Sequence, residues 1–212
     1  MQTVWLIRHG ESEANAGLPT EKPQTIELTA KGHQQAKDLA SAFVTPPDLI
    51  VTSPYLRARQ TVRYTCDRFP EIPFTEWEVQ EFTYLAPIRY LGTTTDERRP
   101  MVEVYWQNGD PLFIDGEGAE SFSDMIIRVK NFFQRVRETE AESIAIFTHE
   151  QLIKAMLWFQ MARVQEIDSM AMTQYRAFLN AWKIPNCSII EYKFDRDRFW
   201  HTAPIVGHLS RP

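Results

Sequence analysis

Four short apolar runs, Thr3 to Ile7, Leu49 to Thr52, Ser143 to Thr148 and Ser188 to Phe194, punctuate a chain whose intervening segments carry helical periodicity. Runs this short, rich in Val, Ile and Phe, read as buried strands. Ala36, Leu39, Ala40 and Phe43 keep a 3.6-residue spacing behind Thr29, a residue suited to cap a helix. Phe122, Met125, Ile126, Val129, Phe132 and Val136 do the same behind Ser121, with Asp124 three residues on. Strand alternating with helix predicts a mostly parallel sheet covered on both faces, a three-layer α/β/α sandwich. At 212 residues, one domain with one well-buried core suffices.

Residues 82–120 break the pattern. Pro87, Gly92, Pro100, Gly109, Pro111, Gly116 and Gly118 interrupt any long periodicity, so this stretch reads as a loop-rich cap inserted over the sheet. Such loops commonly set specificity on a rigid scaffold. Tyr84, Tyr90, Tyr105 and Trp106 give it aromatic content that would form either a pocket wall or the cap's own core.

A net charge of −5 gives no broad basic field, which argues against nucleic acid or an anionic membrane surface as partner. No apolar run approaches the roughly 20 residues of a membrane-spanning helix, and Met1 leads straight into a strand without a secretory pattern. Cys66 and Cys187 belong to no Cys-x-x-Cys pair and read as free thiols; the histidines show no metal-ligand spacing. The expectation is a soluble cytoplasmic protein with no metal and no cofactor. Oligomeric state is not legible.

Chemistry concentrates at strand ends, where open α/β sheets hold their ligands. Arg8-His9-Gly10-Glu11-Ser12 follows the first run at once, placing a fixed cation, an imidazole and a residue that permits close backbone approach at one edge. Ser53-Pro54 after the second run reads as a helix start in which serine caps, with Arg57 just inside the first turn. Val79-Gln80-Glu81-Phe82 carries a carboxylate, and His149 ends the third run ahead of a helix beginning near Glu150.

Taken in order, these pieces resemble the histidine phosphatase superfamily, the phosphoglycerate mutase-like proteins with Arg-His-Gly near the N-terminus. The likeness extends to Asn15, Leu28-Thr29 with Gly32, Ser53-Pro54 through Thr61, Glu120-Ser121-Phe122, Thr148-His149 and Asn186-Cys187-Ser188. It implies that His9 is a nucleophile forming a transient phosphohistidine, with Arg8, Arg57, His149 and Asn15 holding the phosphoryl oxygens. Neutral imidazole suits the first task and fixed cations the second. It also implies that Glu81, rather than its neighbours Glu76 and Glu78, protonates the leaving oxygen and then activates water. Thr20, in the loop from Asn15 to Leu28, is the candidate for a further substrate contact.

The reading is a phosphomonoesterase for a small metabolite phosphate, with a mutase-type phosphotransferase as the alternative and a non-catalytic phosphate-binding module as a third. Two features depart from the simplest form of the family. Glu150-Gln151 follows the second histidine where relatives often have glycine; Glu150 should face away or meet a cationic substrate group. Arg98-Arg99 should pair with the acidic residues beside it on an exposed loop, unless it reaches the site, in which case the substrate carries a second anion.

Overall fold

The computed structural model describes residues 1–195 and 198–209. Six strands and six helices alternate along it: β1 Gln2–Arg8, α1 Ala30–Ala42, β2 Leu49–Thr52, α2 Leu56–Arg68, β3 Phe74–Glu76, α3 Thr95–Asn108, α4 Phe122–Glu138, β4 Ser143–Thr148, α5 Glu150–Ala162, α6 Ser169–Ala181, β5 Ile189–Asp195 and β6 Arg198–His201. They build one sheet in the order β3-β2-β4-β1-β5-β6. The first four of these strands run parallel, while β5 runs antiparallel to both of its neighbours, β1 and β6.

Period-2 alternation along the central strands divides the core into two layers. Val4, Leu6, Ile144 and Ile146 face one way, onto Phe122, Met125, Ile126 and Val129 of α4 and onto Leu152 and Met156 of α5. Ile7, Ile50, Ala145 and Phe147 face the other, onto Ala36 and Leu39 of α1 and Val62 of α2. Each of the larger side chains among these contributes roughly 1.5–3 kcal/mol by leaving water. The three-layer α/β sandwich expected from the sequence is the one observed.

Two caps hold as expected. Thr29 Oγ1 accepts from Gly32 N at 3.1 Å, and Ser121 with Asp124 closes a reciprocal capping box at α4. Ser53 departs from expectation. Helix α2 starts later, at Leu56, behind Tyr55, which makes no side-chain cap; Ser53 Oγ instead accepts from Tyr55 N and meets His149.

The segment 82–120 also corrects the sequence reading. Its centre is a 14-residue helix, α3, preceded by a short 3-10 turn at Pro87–Tyr90. Pro100 lies inside α3 as its sixth residue, where it can donate no intrahelical bond, and a Thr94–Glu97 capping box and a left-handed Gly109 (φ 63°) close its two ends. Tyr84, Tyr105 and Trp106 pack ring to ring at 4.8–5.7 Å, forming part of its core. Among the described residues no helix is long and apolar enough to cross a membrane.

Candidate active site

Strand register brings the two key histidines together. In the parallel β1–β4 pair Arg8 lies opposite Thr148, so the next residue on each strand, His9 and His149, emerges at the same edge. Their rings stand 5.1 Å apart, centre to centre. Backbone bonds clamp this end of β1: His9 N donates to Thr148 O, and Cys187 N to Arg8 O, both at 3.0 Å. Gly10 is required by closeness, since a Cβ there would fall 2.5 Å from Gly32 O of α1.

His9 is buried and its tautomer is fixed twice over. Nδ1 lies 2.7 Å from the Gly10 carbonyl, which can only accept, so Nδ1 carries the proton. Nε2 lies 3.1 Å from Arg57 Nε, which can only donate, so Nε2 presents its lone pair. Burial, then Arg57 and Arg8, holds its pKa well below the ordinary 6.5, and the ring is neutral at working pH.

Arg57 is buried as well. Its Nη1 donates to Pro23 O at 2.6 Å and its guanidinium lies over the Tyr55 ring. His149 meets Ser53 Oγ through Nε2 at 2.8 Å, while its buried Nδ1 has no partner among the described residues. Burial followed by the charge of Arg57 depresses its pKa too. Asn15 Oδ1 accepts from Ser12 N, Ser12 Oγ and Asn186 Nδ2, which orients its amide at the cavity rim.

Glu81 sits across the same cavity, its carboxylate accepting from Phe82 N, Gln151 N and Leu152 N at the start of α5. Burial pushes its pKa up against the pull of Arg57 and those backbone donors, toward a carboxyl that can hold a proton. Glu76 pairs with Arg59 at 2.7 Å on the surface, and Glu78 is exposed, so neither competes for this place.

The cavity encloses about 300 Å³ between Arg8, His9, Asn15, Arg57, Glu81 and the α3 segment, which contributes Tyr84, Tyr90, Thr95, Arg98 and Val102. Thr20 does not line it. That residue is buried behind the wall, where its Oγ1 accepts from Arg98 Nη1. Glu150 does line it, and it neither turns away nor waits for a cation. It binds Arg8 at 3.1 Å and Lys154 at 2.8 Å, and accepts from Ile184 N.

The arginine pair splits. Arg99 takes Asp96 at 2.7 Å on the surface as expected, but Arg98 is only 5% exposed and belongs to the cavity wall. Sequence periodicity could not show this, because proline and glycine concealed the helix that points the two arginines apart. Asn186 was legible only as part of a motif; its Nδ2 bridges His9 O and Asn15 Oδ1, both at 3.0 Å.

A neutral imidazole, the guanidiniums of Arg8 and Arg57 and the carboxyl of Glu81 around one cavity are groups of the kind that phosphoryl transfer calls on. Comparison with known proteins agrees. Residues 4–203 match the family model described as histidine phosphatase superfamily (branch 1). The adenosylcobalamin/alpha-ribazole phosphatase of Salmonella typhi is 28% identical over 84% of this chain and 87% of that protein. The 5''-phosphoribostamycin phosphatase of Niallia circulans is 30% identical over 73% of this chain and 76% of that protein. YhfR of Bacillus stearothermophilus has the same fold at a TM-score of 0.76, with 24% identity over 99% of this chain and all of that one.

Proposed function

The chain belongs to the histidine phosphatase superfamily (branch 1) and is a phosphomonoester hydrolase, and we propose that it works through a phosphohistidine formed on His9. His9 Nε2 attacks phosphorus in line with the ester oxygen. Arg57, released from His9 Nε2, moves its donors onto the phosphoryl oxygens, joined by Arg8, His149 and Asn15. The P–O bond to the alcohol breaks, and Glu81 gives that oxygen its proton. As a carboxylate Glu81 then takes a proton from water, whose oxygen displaces His9 from phosphorus and frees inorganic phosphate.

One observation carries this reading: His9, whose pKa is pushed well down, and Glu81, whose pKa burial pushes up, face one cavity, as a nucleophile and a proton donor should. The cavity's modest volume favours a compact metabolite ester. The segment 82–120 acts as the cap that reads the alcohol. A reducing compartment such as the cytoplasm suits the free thiols of Cys66 and Cys187. Hydrolysis of an activated aryl phosphate without added metal, by wild type and His9→Ala, tests the proposal. Phosphate release by wild type alone supports it, and equal release by both overturns it.

A further inference from the structure

We propose that Arg128 is a positioning residue for the proton donor: from α4 it fixes the backbone that carries Glu81, and so governs leaving-group protonation without touching the substrate. The proposal rests on the hydrolase reading above, in which Glu81 is the acid.

Glu81 lies on a stretch of chain with no regular structure to hold it. Residues 77–86 belong to no strand or helix, so their buried backbone groups must find partners outside a ladder or helix. Side chains supply them. Four consecutive carbonyls are each taken by a side-chain donor: Glu78 O and Gln80 O by Arg128 Nη1 at 3.0 and 3.1 Å, Val79 O by Thr148 Oγ1 at 2.6 Å, and Glu81 O by Thr83 Oγ1 at 3.2 Å. The Gln80 carbonyl belongs to the peptide plane that leads into Glu81, so Arg128 holds the acid's own backbone in place.

The rest of the guanidinium makes this hold stiff. Nε donates to Glu120 Oε2 at 2.8 Å and Nη2 to Glu120 Oε1 at 2.6 Å, a two-pronged pair in which both side chains are mostly buried. Glu120 Oε1 also accepts from Thr83 N at 3.1 Å, and Glu120 N donates to Thr83 O at 2.9 Å, so the other side of Glu81 is tied to the same ion pair. The footing is rigid: α4 is buried in the core through Met125, Ile126 and Val129, and its capping box begins at Ser121, the residue after Glu120. A misplacement of about 1 Å at a reacting group can cost about 100-fold in rate, and these bonds oppose it.

Substrate contact does not account for the arrangement. All three guanidinium nitrogens are engaged by protein acceptors, and Arg128 lines a separate groove with Pro54, Trp77 and Val79 rather than the cavity where Glu81 stands.

The test measures kcat/KM for 4-nitrophenyl, phenyl and 4-methoxyphenyl phosphate, whose leaving groups need a proton increasingly in that order. This parameter reports the steps through P–O cleavage, so the later work of Glu81 on water does not enter. Arg128→Gln should lower the 4-methoxyphenyl value about 10-fold and the 4-nitrophenyl value less than about 2-fold, steepening the leaving-group dependence in the direction of Glu81→Gln. Glu120→Gln breaks the same tie from its other end and should steepen it likewise, which keeps the test decisive if Arg128→Gln does not fold. A parallel fall on all the esters, or no fall, in whichever variant folds makes the ion pair a scaffold element and overturns the proposal. Equal leaving-group dependence in wild type and Glu81→Gln removes Glu81 as the acid and the proposal with it, whereas steepening in Glu81→Gln alone overturns only the proposal.

Discussion

Glu150 Oε2 lies 3.1 Å from Arg8 Nη1, so a carboxylate lining the cavity is neutralised by one of that cavity's own cations. Burial alone would raise the Glu150 pKa, but Arg8, Lys154 and Ile184 N hold it below the usual carboxylate range. The pair restrains Arg8, which also donates to Ile184 O at 2.5 Å, and partly cancels its charge.

Glu150→Gln therefore has two opposed effects. Lys154, almost wholly buried, loses its carboxylate partner and keeps the carbonyls of Leu179 and Trp182. Stability should drop by about 1–3 kcal/mol in urea unfolding, less than for a fully buried pair because Glu150 is a fifth exposed. Inhibition by inorganic phosphate should strengthen several-fold, because Arg8 regains its full charge. Weaker phosphate inhibition would show that Glu150 serves chiefly to aim Arg8.

Arg57→Lys should cost roughly 100-fold or more in kcat, since one ammonium cannot span His9 Nε2 and Pro23 O as the guanidinium does. Steady-state kinetics on an aryl phosphate measures it. A loss under 5-fold would mean that charge alone matters at this position.

Acid should destabilise the fold through the two histidines. Both have folded pKa values depressed below 6.5, so below that pH the unfolded chain binds protons that the folded chain refuses. Each contributes up to about 1.4 kcal/mol of lost stability per pH unit below 6.5, and nothing well above it. Glu81 has the opposite sign: raised above 4.5, it stabilises at low pH and loses that contribution as pH rises through its folded value. Between pH 7.5 and 5.5 the net loss should be about 1–3 kcal/mol in urea unfolding, and smaller by about 1.4 kcal/mol in His149→Asn. Equal pH slopes in variant and wild type would rule out the buried neutral His149.

Gly32→Ala should damage site and fold together. A Cβ at Gly32 would lie 2.0 Å from Glu11 O, so α1 and the Arg8-to-Glu11 segment must separate. The expected cost is about 3 kcal/mol of stability with a fall in kcat. A variant with unchanged urea midpoint would show that this contact is easily relaxed.

How much of this was legible in the sequence follows from where periodicity survives. β1, β2, β4, α1 and α4 keep clean apolar patterns and caps, and their ends placed His9, Arg57 and His149 correctly at one sheet edge. β3 is three residues long at the sheet's edge, too short for a pattern, and α3 hides behind Pro100. Ser53 looked like a cap because serine before proline commonly is one, yet tertiary contact with His149 took its hydroxyl. The pairing of Glu150 with Lys154 is a local i, i+4 relationship, but Arg8 and Ile184 reach it only through the fold.

The central claim is that His9 takes the phosphoryl group and Glu81 manages the protons on both sides of that transfer. Rapid-quench labelling of Glu81→Gln with a ³²P-labelled activated aryl phosphate tests it most directly. The phenol needs no acid to leave, so phosphorylation should proceed while hydrolysis stalls, giving a near-stoichiometric phenol burst and an acid-labile, alkali-stable label that His9→Ala abolishes. Steady turnover without burst or label in Glu81→Gln, or a label that persists when His9 is replaced, would contradict the account.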